Sequence, residues 1–243
     1  MAVLHNDRQL TDLAEIRDRL RALGSTTDAQ FLQRFFKTAS GEYAAGDRFI
    51  GVRVPATRKL AAACADLPLP QLRTLLRSKF HEERLLALIL LVRAFARGDD
   101  DVRRSIYDLY LANTRHVNNW DLVDASAPHI VGAWLQDRSR AQLYRLCRSK
   151  VLWERRIAIL ATLHFIRNGE ASDTLRIAAS LLGDEHDLIH KATGWMLREV
   201  GQRVGKKHLL EFLDAHATLM PRTMLRYAVE RLPTSQRRRY LRA

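Results

Sequence analysis

A carboxylate and an indole share one short stretch, N-N-W-D-L-V-D at 118–124, in a chain that is otherwise strongly basic. If the stretch opens a helix, Trp120 and Asp124 are four residues apart and project from one face. Leu122 and Val123 then point elsewhere, where they can anchor the helix to a core. Asn118 or Asn119 can cap its first N–H groups, and Asp121 sits in the first turn, where negative charge suits the helix dipole. Two further stretches offer matching chemistry: Trp153 and Arg156 near 152, and His190, Lys191, Trp195 and Arg198 in the segment from 186. Lys191, Trp195 and Arg198 fall at i, i+4 and i+7, a single stripe. Cations flanking a lone carboxylate, with aromatics interleaved, suit a groove that holds a DNA backbone around a reactive centre.

The elements that must position these residues are helices. Leu10, Leu13, Ile16, Leu20 and Leu23 make one amphipathic helix over 8–23, and a second runs from Asp28 through Lys37. Residues 40–54 hold three glycines and no helical stripe, and read as a long loop ending at Pro55. Helices are expected at 56–66, 69–77, 81–97, 101–113, 118–126, 128–136, 139–148, 152–167, 170–182, 186–200, 206–216 and 221–231. Gly98, Gly169, Gly183 and Gly201 sit where helices should end, and Pro55, Pro128 and Pro221 where they should start. Asp99, Asp100 and Asp101 read as a surface turn and cap. Arg237, Arg238, Arg239 and Arg242 read as a solvated basic tail over 234–243.

The helices recur. F-H-E-E-R-L-L-A-L-I-L-L at 80–91 is echoed by V-L-W-E-R-R-I-A-I-L-A-T at 151–162, and more faintly by 118–125 and 187–197. Aligning Arg84, Asp121, Arg156 and Lys191 makes the period thirty-odd residues, the mark of an all-α solenoid of HEAT-like pairs. Such an array is expected to form one domain over 1–243 and to present one helix of each pair along a concave face.

Composition sets the outer limits. The chain has 243 residues, 47% of them apolar, and a net charge of +13, which attracts polyanions, nucleic acid first. Its longest apolar run, Leu85 to Val92, is too short to span a bilayer. The start M-A-V-L-H-N-D-R has no apolar signal segment, so a cytoplasmic location is expected. Cys64 and Cys147 are isolated, and the histidines show no paired metal spacing, so neither a disulfide framework nor a metal site is expected.

Five motifs in order carry a family resemblance: G-D-R-F-I-G-V-R-V-P-A-T-R-K-L (46–60), N-N-W-D-L-V-D (118–124), L-W-E-R-R-I-A-I-L (152–160), H-K-A-T-G-W-M-L-R-E-V-G (190–201) and M-P-R-T-M-L-R-Y-A-V-E (220–230). Together they resemble the AlkD-type DNA alkylation repair proteins, the HEAT-like alkylpurine DNA glycosylases. The resemblance implies a C-shaped solenoid that excises N3- or N7-alkylated purines from duplex DNA without metal or cofactor; solenoids of this kind need no partner, so a monomer is expected. It places the catalytic aspartate at Asp124, the sugar-contacting tryptophans at Trp120 and Trp195, and a phosphate-gripping arginine at Arg156. Lys191, Arg198, His190, Asp121 and Phe35 join the DNA-binding set on their positions. The family's tyrosine near the N-terminus falls in Q-R-F-F-K (33–37), where this chain has Phe35 and Phe36. Trp134 and Trp153 are assigned to packing.

That chemistry suits the residues. Breaking an N-glycosidic bond builds positive charge on the sugar, which a nearby carboxylate stabilises. Indole faces pack against deoxyribose and favour cationic character there. A purine already cationic through alkylation leaves without a strong general acid, and gripping sugar and backbone removes the need for a base pocket. Two other classes fit the composition: a non-catalytic binder of damaged or branched DNA, and an α-solenoid scaffold for proteins.

Overall fold

Apolar periodicity becomes helix along most of residues 9–242, the part of the chain that the computed structural model describes. The M-A-V-L-H-N-D-R start lies outside the described residues. Among those described, extended backbone pairs only at two isolated bridges, Leu10 with Cys64 and Arg48 with Phe80. The fold is an all-α solenoid of HEAT-like repeats, and no helix among the described residues is long and apolar enough to cross a membrane.

The chain divides into two compact units, residues 1–122 and 123–243. In the first, α1 (Leu13–Ala22), α2 (Thr26–Phe35), α3 (Val54–Ala63), α4 (Leu69–Leu76), α5 (His81–Arg97) and α6 (Asp100–Leu111) follow one another. Helix α5 is central: α3, α4 and α6 all pack on it, so it is buried nearly all round. The first helix starts later than its leucine spacing suggests. Asp12 caps it by accepting from the Glu15 N–H at 2.8 Å, and Leu10 instead lies extended against Cys64.

The polar opening of α5 ties two distant segments to it. Glu82, fully buried, accepts from the backbone N–H groups of Ile50 (2.9 Å), Gly51 (2.8 Å) and Val52 (3.2 Å). This carboxylate turns the glycine-rich loop into an ordered strap. Gly51 is required there: its φ is +90°, and a Cβ would fall 2.0 Å from the Ser25 carbonyl oxygen. Glu83 takes Arg17 (3.0 Å) and Arg21 (3.3 Å) of α1.

Helix α7 (Trp120–Ala127) carries the unit boundary within it, after Leu122. Beyond Ala127 the backbone widens into a π turn, Pro128–Gly132, and continues as the short α8 (Ala133–Leu135). Pro128 therefore does not start a separate helix: its missing N–H is accommodated inside the widened turn. The second unit continues with α9 (Ala141–Cys147), α10 (Leu152–Arg167), α11 (Ser172–Ser180), α12 (Asp187–Arg203), α13 (Lys206–His216), α14 (Arg222–Ala228) and α15 (Thr234–Arg242). Here α10 is central, touching α9, α11 and α12, and α12 in turn packs on α13 and α14. Burying Ile157, Ile159, Leu160, Phe165 and Ile166 contributes roughly 1.5–3 kcal/mol each. Gly201 lies inside α12 rather than at its end, where it admits Leu209 of α13 to close range.

The basic tail is solvated as expected, with Arg237, Arg238, Arg239 and Arg242 all exposed, but it is also a helix, α15, held by the buried Tyr240, whose hydroxyl donates to Asp214 at 2.8 Å. A further expectation needs correction in this unit: the repeat register is one residue different. Arg84 donates to the Ser78 carbonyl at 3.0 Å, and Arg155, not Arg156, makes the same bond to the Ser149 carbonyl at 3.0 Å. The Ser78 and Ser149 hydroxyls likewise accept from the N–H two residues on, at 3.1 and 3.0 Å. R-S-K-F-H-E-E-R (77–84) and R-S-K-V-L-W-E-R (148–155) thus form one duplicated clasp.

Candidate nucleic-acid site

In the first unit, Trp120 sits at the end of an aromatic ladder. Phe36 stacks on it at 5.2 Å between centroids with a 23° interplanar angle, and Phe35 meets it edge-on at 6.1 Å. Phe36, itself buried, stacks on Phe49 at 5.1 Å, and Phe49 stacks on the His81 ring at 4.6 Å. Phe35 is 54% exposed. The two adjacent phenylalanines therefore do different work: Phe36 closes the core beneath Trp120, and Phe35 faces solvent.

A buried polar network backs the ladder. His81 donates from Nε2 to Asp121 at 2.8 Å and from Nδ1 toward Asp47 at 3.4 Å. Asp47 also takes the Asn118 and Asn119 amides, at 3.1 and 3.4 Å, and lies 2.8 Å from Arg84. Burial alone would lower the His81 pKa, but the Asp121 charge and hydrogen bond, with the Asp47 hydrogen bond, raise it to about 9. Asp47 shifts the other way. Burial opposes its charge, yet hydrogen bonds from His81 and Asn118 and the Arg84 charge hold it below the ordinary carboxylate value. An imidazolium between two carboxylates thus locks the N-terminus of α7. Asp121, grouped with the DNA contacts on sequence, points into this network. The cap on Trp120 comes from Asn119, whose Oδ1 accepts its N–H at 2.9 Å.

In the second unit, Asp124 is gripped in a fork. Arg156 donates from Nε to Oδ1 at 2.9 Å and from Nη2 to Oδ2 at 2.8 Å. Its Nη1 donates to the Leu188 carbonyl at 2.6 Å. The Arg156 side chain is 6% exposed and that of Asp124 19%. Arg156 is therefore turned inward and fixes the carboxylate, a different task from gripping a phosphate. The one-residue shift in repeat register explains this: Arg155 holds the clasp and pairs with Asp184 at 2.6 Å, while Arg156 faces α7. A carboxylate offers about four acceptor positions, and the fork takes two of them.

The α12 stripe is real but mostly tied down. Trp195 is half-buried and donates its Nε1 hydrogen to Glu199 at 3.2 Å. Arg198 pairs with Glu230 and lies 3.8 Å from Glu199. Lys191 stays 42% exposed and pairs with Asp187 at 2.7 Å. His190 contacts the Asp184 carbonyl through Nε2. Trp134 and Trp153 are buried, and Asp99 caps α6 by accepting from Val102 at 2.9 Å. Among the described residues, no three His, Cys, Asp or Glu side chains are grouped to hold a metal ion.

Sequence reasoning missed His81, Asp47 and Glu82. Their partners lie roughly thirty to seventy residues away, so no local pattern marks them. The only available signal was the presence of three ionisable residues, H-E-E, at the start of an otherwise apolar helix.

Comparison with known proteins adds to this geometry. The model of a family described as DNA alkylation repair enzyme matches residues 16–232, and the chain belongs to that family, with a role in DNA repair. Among solved structures it is similar to a predicted DNA alkylation repair enzyme from Enterococcus faecalis, with a TM-score of 0.65. That likeness covers 87% of this chain and 97% of the other at 16% identity, and so speaks for the fold alone. No curated protein matches the chain.

Proposed function

We propose that this member of the DNA alkylation repair family is a DNA glycosylase that hydrolyses the N-glycosidic bond of N3- or N7-alkylated purines in duplex DNA. The observation that carries the reading is Asp124: a partly exposed carboxylate whose rotamer is fixed by Arg156, one helical turn after an indole on the same helix. A carboxylate held in one place stabilises positive charge developing on the sugar without reorganising at the moment of reaction. It also orients the attacking water. Trp120 and Trp195 are assigned to the deoxyribose, and Lys191, Arg198 and His190 to the backbone. The net charge of +13 supplies the attraction for DNA.

No metal or cofactor enters this scheme. A cationic alkylpurine is its own leaving group, so the chain need supply only the carboxylate and the grip. Duplex DNA carrying N7-methylguanine or N3-methyladenine, incubated with the protein, should release free base. Asp124→Asn should lose release while still binding the duplex. Absence of release from both lesions by the wild-type protein overturns the reading.

A second reading has one specific observation behind it. The Arg156 fork engages both oxygens of Asp124, as a structural ion pair does, and Phe35 and Phe36 bring no hydroxyl. A non-catalytic binder of damaged or branched DNA would bind junctions tightly with or without Asp124. Either DNA-binding reading requires a steep linear fall of log affinity with log salt, which a protein scaffold lacks.

A further inference from the structure

Helix α2 differs from the helices packed around α5: none of its ten residues, T-T-D-A-Q-F-L-Q-R-F, is buried. Phe31 and Phe35 are one turn apart on it, 44% and 54% exposed. Their rings run nearly parallel, 6.0 Å between centroids and 16° between planes. Two large phenyl rings, each about half exposed, on a helix this short are a surface awaiting an occupant.

The rings are also braced from behind. Phe35 meets Phe36 edge-on at 5.1 Å and Trp120 at 6.1 Å, and Phe36 is itself sandwiched between Phe49 and Trp120. The Arg53 guanidinium lies 5.2 Å from the Phe31 centroid and is fixed by Asp28 at 2.6 Å. A face pre-positioned in this way loses little side-chain freedom on binding.

Charge identifies the occupant. Arg34, Lys37, Arg48 and Arg53 are exposed on or beside this helix. Lys37 stands in the left-handed region at φ 53°, a backbone conformation that glycine adopts far more easily. The turn after α2 thus carries a cation at a position where backbone ease favours glycine. A second copy of a chain with a net charge of +13 is repelled from such a face, whereas a polyanion is drawn to it. Polyanions that also present flat apolar faces are nucleic-acid strands. Paired bases keep those faces stacked on one another, so only an unpaired base has one to offer.

We infer that the Phe31–Phe35 face of α2 is a stacking platform for unpaired bases of a nucleic-acid strand, with Arg34, Lys37, Arg48 and Arg53 holding the adjoining phosphates. This goes beyond base excision and does not use Asp124. It gives the protein affinity for single-stranded or locally opened DNA, through ring faces that read no particular base.

Fluorescence anisotropy tests this with the full chain and three labelled probes: an oligothymidylate of about 12 nucleotides, an abasic strand with the same number of phosphates, and a duplex of that length. The oligothymidylate should bind at least about fivefold more tightly than the abasic strand, since each stacked base contributes roughly that factor or more. Phe31→Ala and Phe35→Ala should each reduce the preference and together abolish it, leaving abasic-strand affinity unchanged. Phe31→Tyr and Phe35→Tyr keep a ring and should retain it. Thermal melting of the variants verifies that they fold, which their exposure favours. Asp124→Asn should bind the oligothymidylate like the wild type, so loss of base release and loss of stacking are read separately. Equal binding of base-bearing and abasic strands, or an unchanged preference in the double alanine variant, overturns the inference. So does a concentration-dependent dimer in sedimentation that the double variant abolishes, which would make the face a self-association surface.

Discussion

Replacing Glu82 with Gln keeps the shape of the side chain but changes one acceptor oxygen into a donor. Oε1 accepts from both Gly51 and Val52, whereas Oε2 accepts only from Ile50. The amide oxygen will therefore stay with Gly51 and Val52, and the new NH2 will face the Ile50 N–H. An N–H left without its acceptor costs about 1–3 kcal/mol, and the two remaining bonds each lose about 1 kcal/mol as they pass from charge-assisted to neutral. The sum is about 3–5 kcal/mol, all of it on the unit formed by residues 1–122. With a urea dependence of about 2 kcal/mol per molar, the midpoint of that unit should fall by roughly 2 M. The assay follows from the tryptophan positions. Trp120 lies in the first unit and Trp134, Trp153 and Trp195 in the second, so protein labelled with 5-fluorotryptophan reports each unit through its own fluorine signals. The Trp120 signal should shift its midpoint and the other three should not. A Trp120 midpoint within a few tenths of a molar of the wild type would refute the strap argument, as would an equal shift in all four signals.

Three further outcomes are expected. The raised His81 pKa gives a definite sign: its stabilisation is full below its ordinary value of 6.5 and is lost as pH rises through about 9, on the order of 3 kcal/mol. Asp47 acts at the other end, its contribution present above the ordinary carboxylate value and lost as pH falls through its lowered one. The Trp120 urea midpoint should therefore decline from pH 6 to pH 10, and His81→Gln should flatten that decline. Gly194→Ala puts a Cβ 2.4 Å from the Met224 carbonyl oxygen and 2.6 Å from Tyr227 Cβ, so α12 and α14 must part; the Trp195 signal should unfold about 1–3 kcal/mol earlier, while Gly183→Ala, with nothing within 4 Å, should change little. Arg156→Lys cannot fork onto both Asp124 oxygens; base release should fall at least about tenfold with duplex affinity nearly kept, and equal release by the variant would show that Asp124 needs no clamp.

The parts of the fold that were legible from residue types are those where pattern and burial agree. Helices α5 and α10 are apolar on nearly every side, and their limits, 81–97 and 152–167, match the apolar runs. Misreadings arose where a local cue was overruled by a distant partner. Leu10 carries the leucine spacing of a helix, yet its N–H donates to Ala63 at 2.9 Å and it lies extended. T-S-Q-R-R-R reads as tail until Tyr240 finds Asp214. Pro128 is a helix starter by type, but the π turn absorbs it. The candidate functional residues divide in the same way. Trp120, Asp124 and Trp195 stand out by type and spacing, whereas the inward aim of Arg156 depends on a one-residue register that two adjacent arginines leave ambiguous. The His81 network was invisible because charge pairs across 34, 40 and more residues leave no local trace.

The duplicated clasp has a consequence for how the chain is born. Ser78 with Arg84, and Ser149 with Arg155, close their bonds within six residues, so neither needs any distant segment in place before it forms. Each can lock the first turn of its long helix while the ribosome is still adding residues downstream. The polypeptide thereby carries two separate starting points for its own assembly, and the earlier one is available before the later has been translated.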